Sequence, residues 1–232
     1  MSKVKKISIA LIAIILCVVG LLAGGIIYTV VPTRGEKIDK YSNPQKALLV
    51  IDIQEDYTGT AAKPPFPFRD SEKLIAVVNK IIAEAPRKNI VIVYIKQEFA
   101  GFWGTIFSRV FAKGTAIKGN PGAEIDKRIS LSSDHIFSKP KGDAFANPEL
   151  GSFLIKNQVN DLYLVGLDAE YCVYATAQGA LNRGYTVNII TDSVLWDGHI
   201  LQTDEKRDKI IKKYKESGII LRSSGEFLPG NP

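Results

Sequence analysis

The sequence predicts an α/β fold: a three-layer Rossmann-like sandwich around a mostly parallel sheet of about six strands, preceded by one N-terminal transmembrane helix. Three observations predict it. Short unbroken apolar runs, such as residues 46–52 (KALLVID), have the composition of strands buried on both faces. Segments of helical periodicity alternate with these runs, which is the order of a parallel sheet covered by helices on both sides. Ahead of them, residues 7–31 run for 25 positions without a charge.

That N-terminal run is long enough, at ~1.5 Å per residue, to cross a ~30 Å hydrocarbon core. Leu21-Leu22-Ala23 is a poor match to a signal-peptidase site, so an uncleaved anchor is expected. Cys17, inside the run, reads as a packing or lipid-facing residue. Lys3, Lys5 and Lys6 precede the run and Arg34, Lys37 and Lys40 follow it, so the basic residues tie. The short tail favours residues 1–6 in the cytoplasm, a single pass over 7–31, and the folded part on the extracytoplasmic side. Residues 32–45 turn polar, with Pro32, Gly35 and Pro44 as breakers, and read as a tether. Residues 46–232 then form one folded domain.

Within that domain, residues 70–85 space Leu74, Val77, Val78, Ile81 and Ile82 as a helix, with Asp70 or Ser71 as N-cap. Residues 89–96 (NIVIVYIK) form a second strand and 135–139 (HIFSK) a third. Residues 150–158 suit a helix, 161–166 a strand, and 172–183 a helix ended by Gly184. Another strand follows at 186–192, then an amphipathic helix at 204–217 and a last strand in GIILRS.

Composition narrows the functional classes. The chain of 232 residues is 46% hydrophobic and 23% charged, as in a folded protein. Its net charge is +6, but the first 40 residues hold six Lys/Arg against two Asp/Glu (6 − 2 = +4), leaving +2 for the remainder. With no basic cluster interleaved with aromatics there, no nucleic-acid partner is expected. No G-x-G-x-x-G follows the first strand, and no cofactor is predicted. Two cysteines, Cys17 and Cys172, make no disulfide framework.

In parallel α/β sheets the active crevice lies beyond the carboxyl ends of the strands. The strand KALLVID ends in Asp52, HIFSK ends in Lys139, and the strand at 161–166 leads through a short loop to Cys172. Taken singly, these are a turn residue, a surface lysine and a small packing side chain. Taken together they are an acid, an ammonium and a thiol at three corresponding strand ends. Only thiolate attacks efficiently, and a helix start and a lysine both favour it. Asp52 would take the thiol proton and return it to a leaving group.

The stretches LLVIDIQEDY around Asp52, SKPKGDAF around Lys139 and VGLDAEYCVYATAQGALNRGYTVNIITD around Cys172 resemble the isochorismatase-like cysteine hydrolase superfamily, which includes nicotinamidases and related amidases. The likeness runs from about residue 46 to residue 221, with the motifs in the expected order. It implies an Asp52–Lys139–Cys172 triad, a covalent thioester on Cys172, and a small-molecule amide substrate. It further implies a cis peptide at Leu167–Asp168, an oxyanion hole from the amides of Asp168 and Cys172, and a dimer or larger homo-oligomer.

Two departures from the pattern matter. Metal-dependent nicotinamidases carry Asp-x-His after the second strand, where this chain has Gln97 and Phe99. No catalytic metal is therefore expected, and nicotinamide is disfavoured as the substrate. The long connection at 99–111 holds Phe99, Phe102, Trp103, Phe107 and Phe111, which read as core, as a membrane-facing patch, or as a pocket wall. The expected substrate pocket comprises Gln54, Tyr57, Phe99, Phe102 and Trp103. The competing reading is a catalytically silent or redox-sensing binding module of the same fold.

Overall fold

The computed structural model describes residues 31–60, 62, 66, 70–196 and 204–228, with the single positions 12, 16, 20, 24 and 27. Most of the anchor predicted at 7–31, Cys17 included, lies outside the described residues. Among them, no helix is long and apolar enough to cross a membrane.

Six strands form one sheet in the order β3-β2-β1-β4-β5-β6. They are β1 (Gln45–Ile51), β2 (Ile90–Gln97), β3 (Ile136–Lys139), β4 (Val159–Gly166), β5 (Thr186–Val194) and β6 (Ile220–Arg222). Every pairing is parallel. The principal helices are α1 (Ser71–Glu84), α2 (Gly101–Phe111), α3 (Pro148–Lys156), α4 (Cys172–Leu181) and α5 (Asp204–Glu216).

Strand periodicity explains the layering. Successive β1 side chains point to opposite faces, and the two sets enter different cores. Ala47, Leu49 and Ile51 pack with Leu150 and Leu154 of α3, Val173 and Ala177 of α4, and Ile210 and Tyr214 of α5. Leu48 and Val50 pack with Leu74, Val78, Ile81 and Ile82 of α1. Both faces are thus covered, as the unbroken apolar strands predict.

Three local readings are corrected. Asp70 occupies the N-cap position of α1, but its side chain makes no capping bond. It adopts a left-handed φ of 66° and pairs instead with Lys73 at 2.8 Å. Residues 101–111 are not an irregular connection but helix α2. Its two glycines and run of aromatic and β-branched residues have weak helix propensity, so tertiary packing must supply what local preference does not.

The tether is partly docked. Thr33 donates its amide and its hydroxyl to Asp143 Oδ2, each at 2.6 Å. Asn182 Nδ2 donates to Thr33 O at 2.8 Å, Arg183 donates to Thr33 Oγ1 at 3.0 Å, and the Ile38 amide donates to Arg183 O at 2.8 Å. Composition records breakers and polarity, and is blind to a buried acceptor 110 residues away.

Candidate active site

The sheet order places β1 at the centre, flanked by β2 and β4, with β3 beyond β2. The carboxyl ends of these strands therefore lie side by side. Asp52 follows β1, Gln97 ends β2, Lys139 ends β3, and β4 leads to Cys172 at the head of α4.

Glycine at 166 permits the close approach of β4 to β1. It has φ of 112°, and a Cβ there would lie 2.0 Å from Ile51 O. The chain then continues with the Leu167 amide donating to Ile51 O at 3.0 Å, and the Leu167–Asp168 peptide bond is cis. The Tyr171 and Val173 amides both donate to Asp168 O, at 3.1 and 3.0 Å. The Cys172 amide heads α4, where first-turn N–H groups have no intrahelical acceptor.

Lys139 is the hub. Its ammonium lies 2.9 Å from Asp52 Oδ2, 2.7 Å from Gln97 Oε1 and 3.3 Å from Cys172 Sγ. An ammonium has three donors, and these three contacts use them. Asp52 Oδ1 is buried and has no hydrogen-bond partner among the described residues. That oxygen is left to accept a proton from the neighbouring thiol.

Electrostatics follows from enclosure. Burial works against the Lys139 ammonium, but the Asp52 carboxylate and the Cys172 sulfur outweigh it and hold its pKa above the ordinary lysine value. Burial pushes the Asp52 carboxyl up, with Lys139 pulling the other way. Burial also pushes the Cys172 thiol up, to about 12, against the opposing charge of Lys139. The sequence reading has the helix start and Lys139 favouring the thiolate. The helix start and the lysine do not overcome desolvation, so the thiol keeps its proton until Asp52 removes it. A carboxyl held above its usual range is the stronger base for that step.

Asp52 and Cys172 line a cavity of about 220 Å³ whose walls include Tyr57, Phe66, Phe111, Leu167, Asp168 and Tyr171, while Lys139 lies buried behind them. Of the five residues predicted to line a substrate pocket, only Tyr57 does so. Gln54 is fully buried, and its amide donates to Gln97 O at 2.9 Å and Ala123 O at 2.7 Å while accepting from the Gln97 amide at 2.7 Å. It braces the backbone behind the site. Phe99 is buried against Phe107, with ring centroids 5.5 Å apart. Phe102 and Trp103 are 71% and 77% exposed on the outer side of α2. The helical geometry of α2 turns these two rings away from the cavity and brings Phe111 to it.

Sequence reading missed Gln97 as a partner of Lys139, although it ends a strand like the other three. Its side chain accepts from Lys139 Nζ and donates to Lys139 O at 3.0 Å. Phe66 and Lys113 lie outside the quoted motifs, and Tyr171, directly before Cys172, is not singled out within its motif. Gln97 is spent on Lys139 and Phe99 on packing against Phe107, so neither position offers a metal ligand. Among the described residues, no group of three His, Cys, Asp or Glu side chains is placed to hold one.

An acid, an ammonium and a thiol thus meet at adjacent strand ends of a parallel sheet. Residues 46–219 match the isochorismatase domain model, and the chain belongs to that family of hydrolases. It is 26% identical to the isochorismatase family protein YaaI of Bacillus subtilis, over 66% of this chain and 82% of that one. It is 26% identical to streptothricin hydrolase of Streptomyces noursei over 65% of this chain, spanning 54% of that enzyme's length. It is 22% identical to the nicotinamidase of Escherichia coli, over 64% of this chain and 82% of that one. Among solved structures, the pyrazinamidase of Pyrococcus horikoshii in complex with zinc superposes with TM-score 0.64 at 27% identity, covering 78% of this chain and 99% of that one. The N-carbamoylsarcosine amidase of Thermoplasma acidophilum shares the fold, with TM-score 0.63 at 22% identity over 78% of this chain and 96% of that one.

Proposed function

We propose that this chain is a membrane-anchored cysteine hydrolase that cleaves the C–N bond of a small amide through a thioester on Cys172. The observation that carries this reading is the buried Lys139 ammonium bridging Asp52 and Cys172, both of which line a small, largely apolar cavity. Asp52 Oδ1 takes the thiol proton as sulfur attacks the amide carbonyl carbon. The resulting oxyanion is met by the backbone amides of Asp168 and Cys172. On collapse the C–N bond breaks, and the Asp52 proton passes to the leaving amine. Water, deprotonated by the same carboxylate, then attacks the thioester; the acid leaves and the thiol regains its proton. Lys139 and Gln97 hold the carboxylate and sulfur in register throughout.

Amidase relatives support the substrate class, and the apolar run at 7–31 supports the anchor. The hydrolase domain is assigned to the extracytoplasmic side. A panel of small amides, assayed with wild type beside Cys172→Ala, tests the chemistry. Wild type should turn over at least one amide and form a trapped acyl adduct by mass spectrometry. Removal of the nucleophile should lower kcat by at least ~10³-fold, and full activity in the variant would overturn the mechanism. Protease added to intact cells tests the topology: digestion of the domain supports the assignment, and protection until lysis reverses it.

A further inference from the structure

The α2 helix presents an apolar stripe to solvent. Phe102, Trp103, Ile106 and Val110 are 71%, 77%, 38% and 63% exposed. At ~100° of rotation per residue these four positions fall within an arc of roughly 100°, one contiguous face of the helix. The opposite face is the one that packs. Ser108 is fully buried and donates to Thr115 O at 2.6 Å, and a Cβ at Gly104 would sit 3.1 Å from the Phe99 backbone. The stripe is therefore a designed side of a seated helix, with nothing among the described residues laid over it.

Its position in the fold says what it faces. α2 starts four residues after the end of β2, and β3 is the next strand, paired with β2 from Tyr94↔Ile136 to Gln97↔Lys139. Just past the end of β3, Lys141 Nζ donates to Val31 O at 3.1 Å. Val31 is the last residue of the uncharged run at 7–31. Val31 thus meets the folded domain beside the exit of β3, the neighbour of the strand that α2 follows, while Thr33 is held farther off, just past the end of α4, at Asn182 and Arg183. Hydrogen bonds from Thr33 to Asp143, and from Asn182 and Arg183 to Thr33, fix that junction to the domain. A bilayer that holds the run is consequently kept close to the domain, because residues 31–38 are docked on it and supply no long slack linker.

Charge agrees. Residues 99–118 carry Arg109, Lys113 and Lys118 and no acidic side chain. Basic side chains beside a tryptophan- and phenylalanine-bearing face suit the headgroup region of an anionic bilayer, where the aromatic rings sit and the lysine and arginine stems reach to phosphate. A short helix binds such a surface weakly alone, but an anchor on the same chain makes the second contact intramolecular.

We propose that the outer face of α2 docks on the surface of an anionic lipid bilayer, a proposal that rests on the anchor reading of residues 7–31. The mouth of the active-site cavity, which Phe111, Ala112 and Lys113 help to line at the end of this helix, then opens beside the membrane interface.

The test uses the full chain in phosphatidylcholine–phosphatidylglycerol vesicles containing lipids brominated near the top of the acyl chain. Trp196, only 6% exposed, supplies the background emission, and Trp103→Phe isolates the Trp103 component by difference. The expected result is co-flotation with vesicles after an alkaline wash, loss of most Trp103 emission to bromolipid, and shielding of Trp103 from aqueous acrylamide. The double variant Phe102→Ser/Val110→Ser should still co-float while Trp103 regains acrylamide quenching. A chain that co-floats with Trp103 open to acrylamide and unquenched by bromolipid overturns docking and leaves the anchor standing. Shielding from both quenchers means that a second copy or the chain's own N-terminal segment covers the stripe, which also overturns docking. A chain that does not co-float overturns the anchor, and docking with it.

Discussion

Asp52 leaves β1 with φ of 55°, a left-handed conformation that costs a non-glycine residue of order 1–3 kcal/mol. The strain is sustained by its surroundings: its amide donates to Ile95 O at 2.9 Å and its carboxylate pairs with Lys139. The raised pKa of this buried carboxyl has a kinetic consequence. The proposed mechanism needs the carboxylate, so kcat/KM should fall as pH drops through the raised value, with the acid limb above the ~4 of an ordinary aspartate. A pH–rate profile checks this, and in Asp52→Asn the limb should vanish along with nearly all activity. The thiol makes a companion prediction. With its pKa pushed to about 12, iodoacetamide labelling of the resting enzyme should keep accelerating from neutral pH to about pH 10 with no plateau, as thiolate accumulates. A plateau near neutrality would show a resting thiolate instead.

Two junctions between elements make their own predictions. The β4–β1 contact leaves no room at Gly166, where an added Cβ would meet Ile51 O and the φ is positive. Gly166→Ala should destabilise by more than ~1 kcal/mol, measured by urea unfolding, and should also reduce activity because Leu167 and Asp168 lead directly into the site. The junction of residues 31–38 with the end of α4 depends on Thr33, whose hydroxyl donates to Asp143 and accepts from Arg183. Thr33→Val should cost about 1–2 kcal/mol, since a charged acceptor loses a donor. Limited proteolysis should then cut residues 32–40 faster than in wild type. The strands and most helices were legible in the sequence because their burial is periodic. Helix α2 was not, because its apolar residues serve an exposed stripe and a packed side together, and its local propensity is poor. Phe102 and Trp103 were misplaced for the same reason: which way a side chain points on an unrecognised helix is not visible in composition.

At the scale of the whole molecule, the buried triad ties global stability to pH. Between the ordinary thiol value of 9.0 and about 12, the unfolded chain loses the Cys172 proton while the native state keeps it. The native state then binds more protons, so stability falls as pH rises through this window. Cys172→Ala should lose less stability than wild type between about pH 9 and pH 11, as thermal melts across that range would show. By itself the sequence determined the parallel α/β architecture, because unbroken apolar strands must be covered on both faces. It also placed Asp52, Lys139 and Cys172 at the carboxyl ends of neighbouring strands, because strand ends in such a sheet are predictable from strand order. Tertiary structure alone decided three things. It set Gln97 on Lys139, closed the cavity with Phe66, Phe111 and Tyr171, and kept the Cys172 thiol protonated. The physical reason is common to all three: desolvation and side-chain direction depend on what surrounds a residue in space, which neighbours in sequence do not specify.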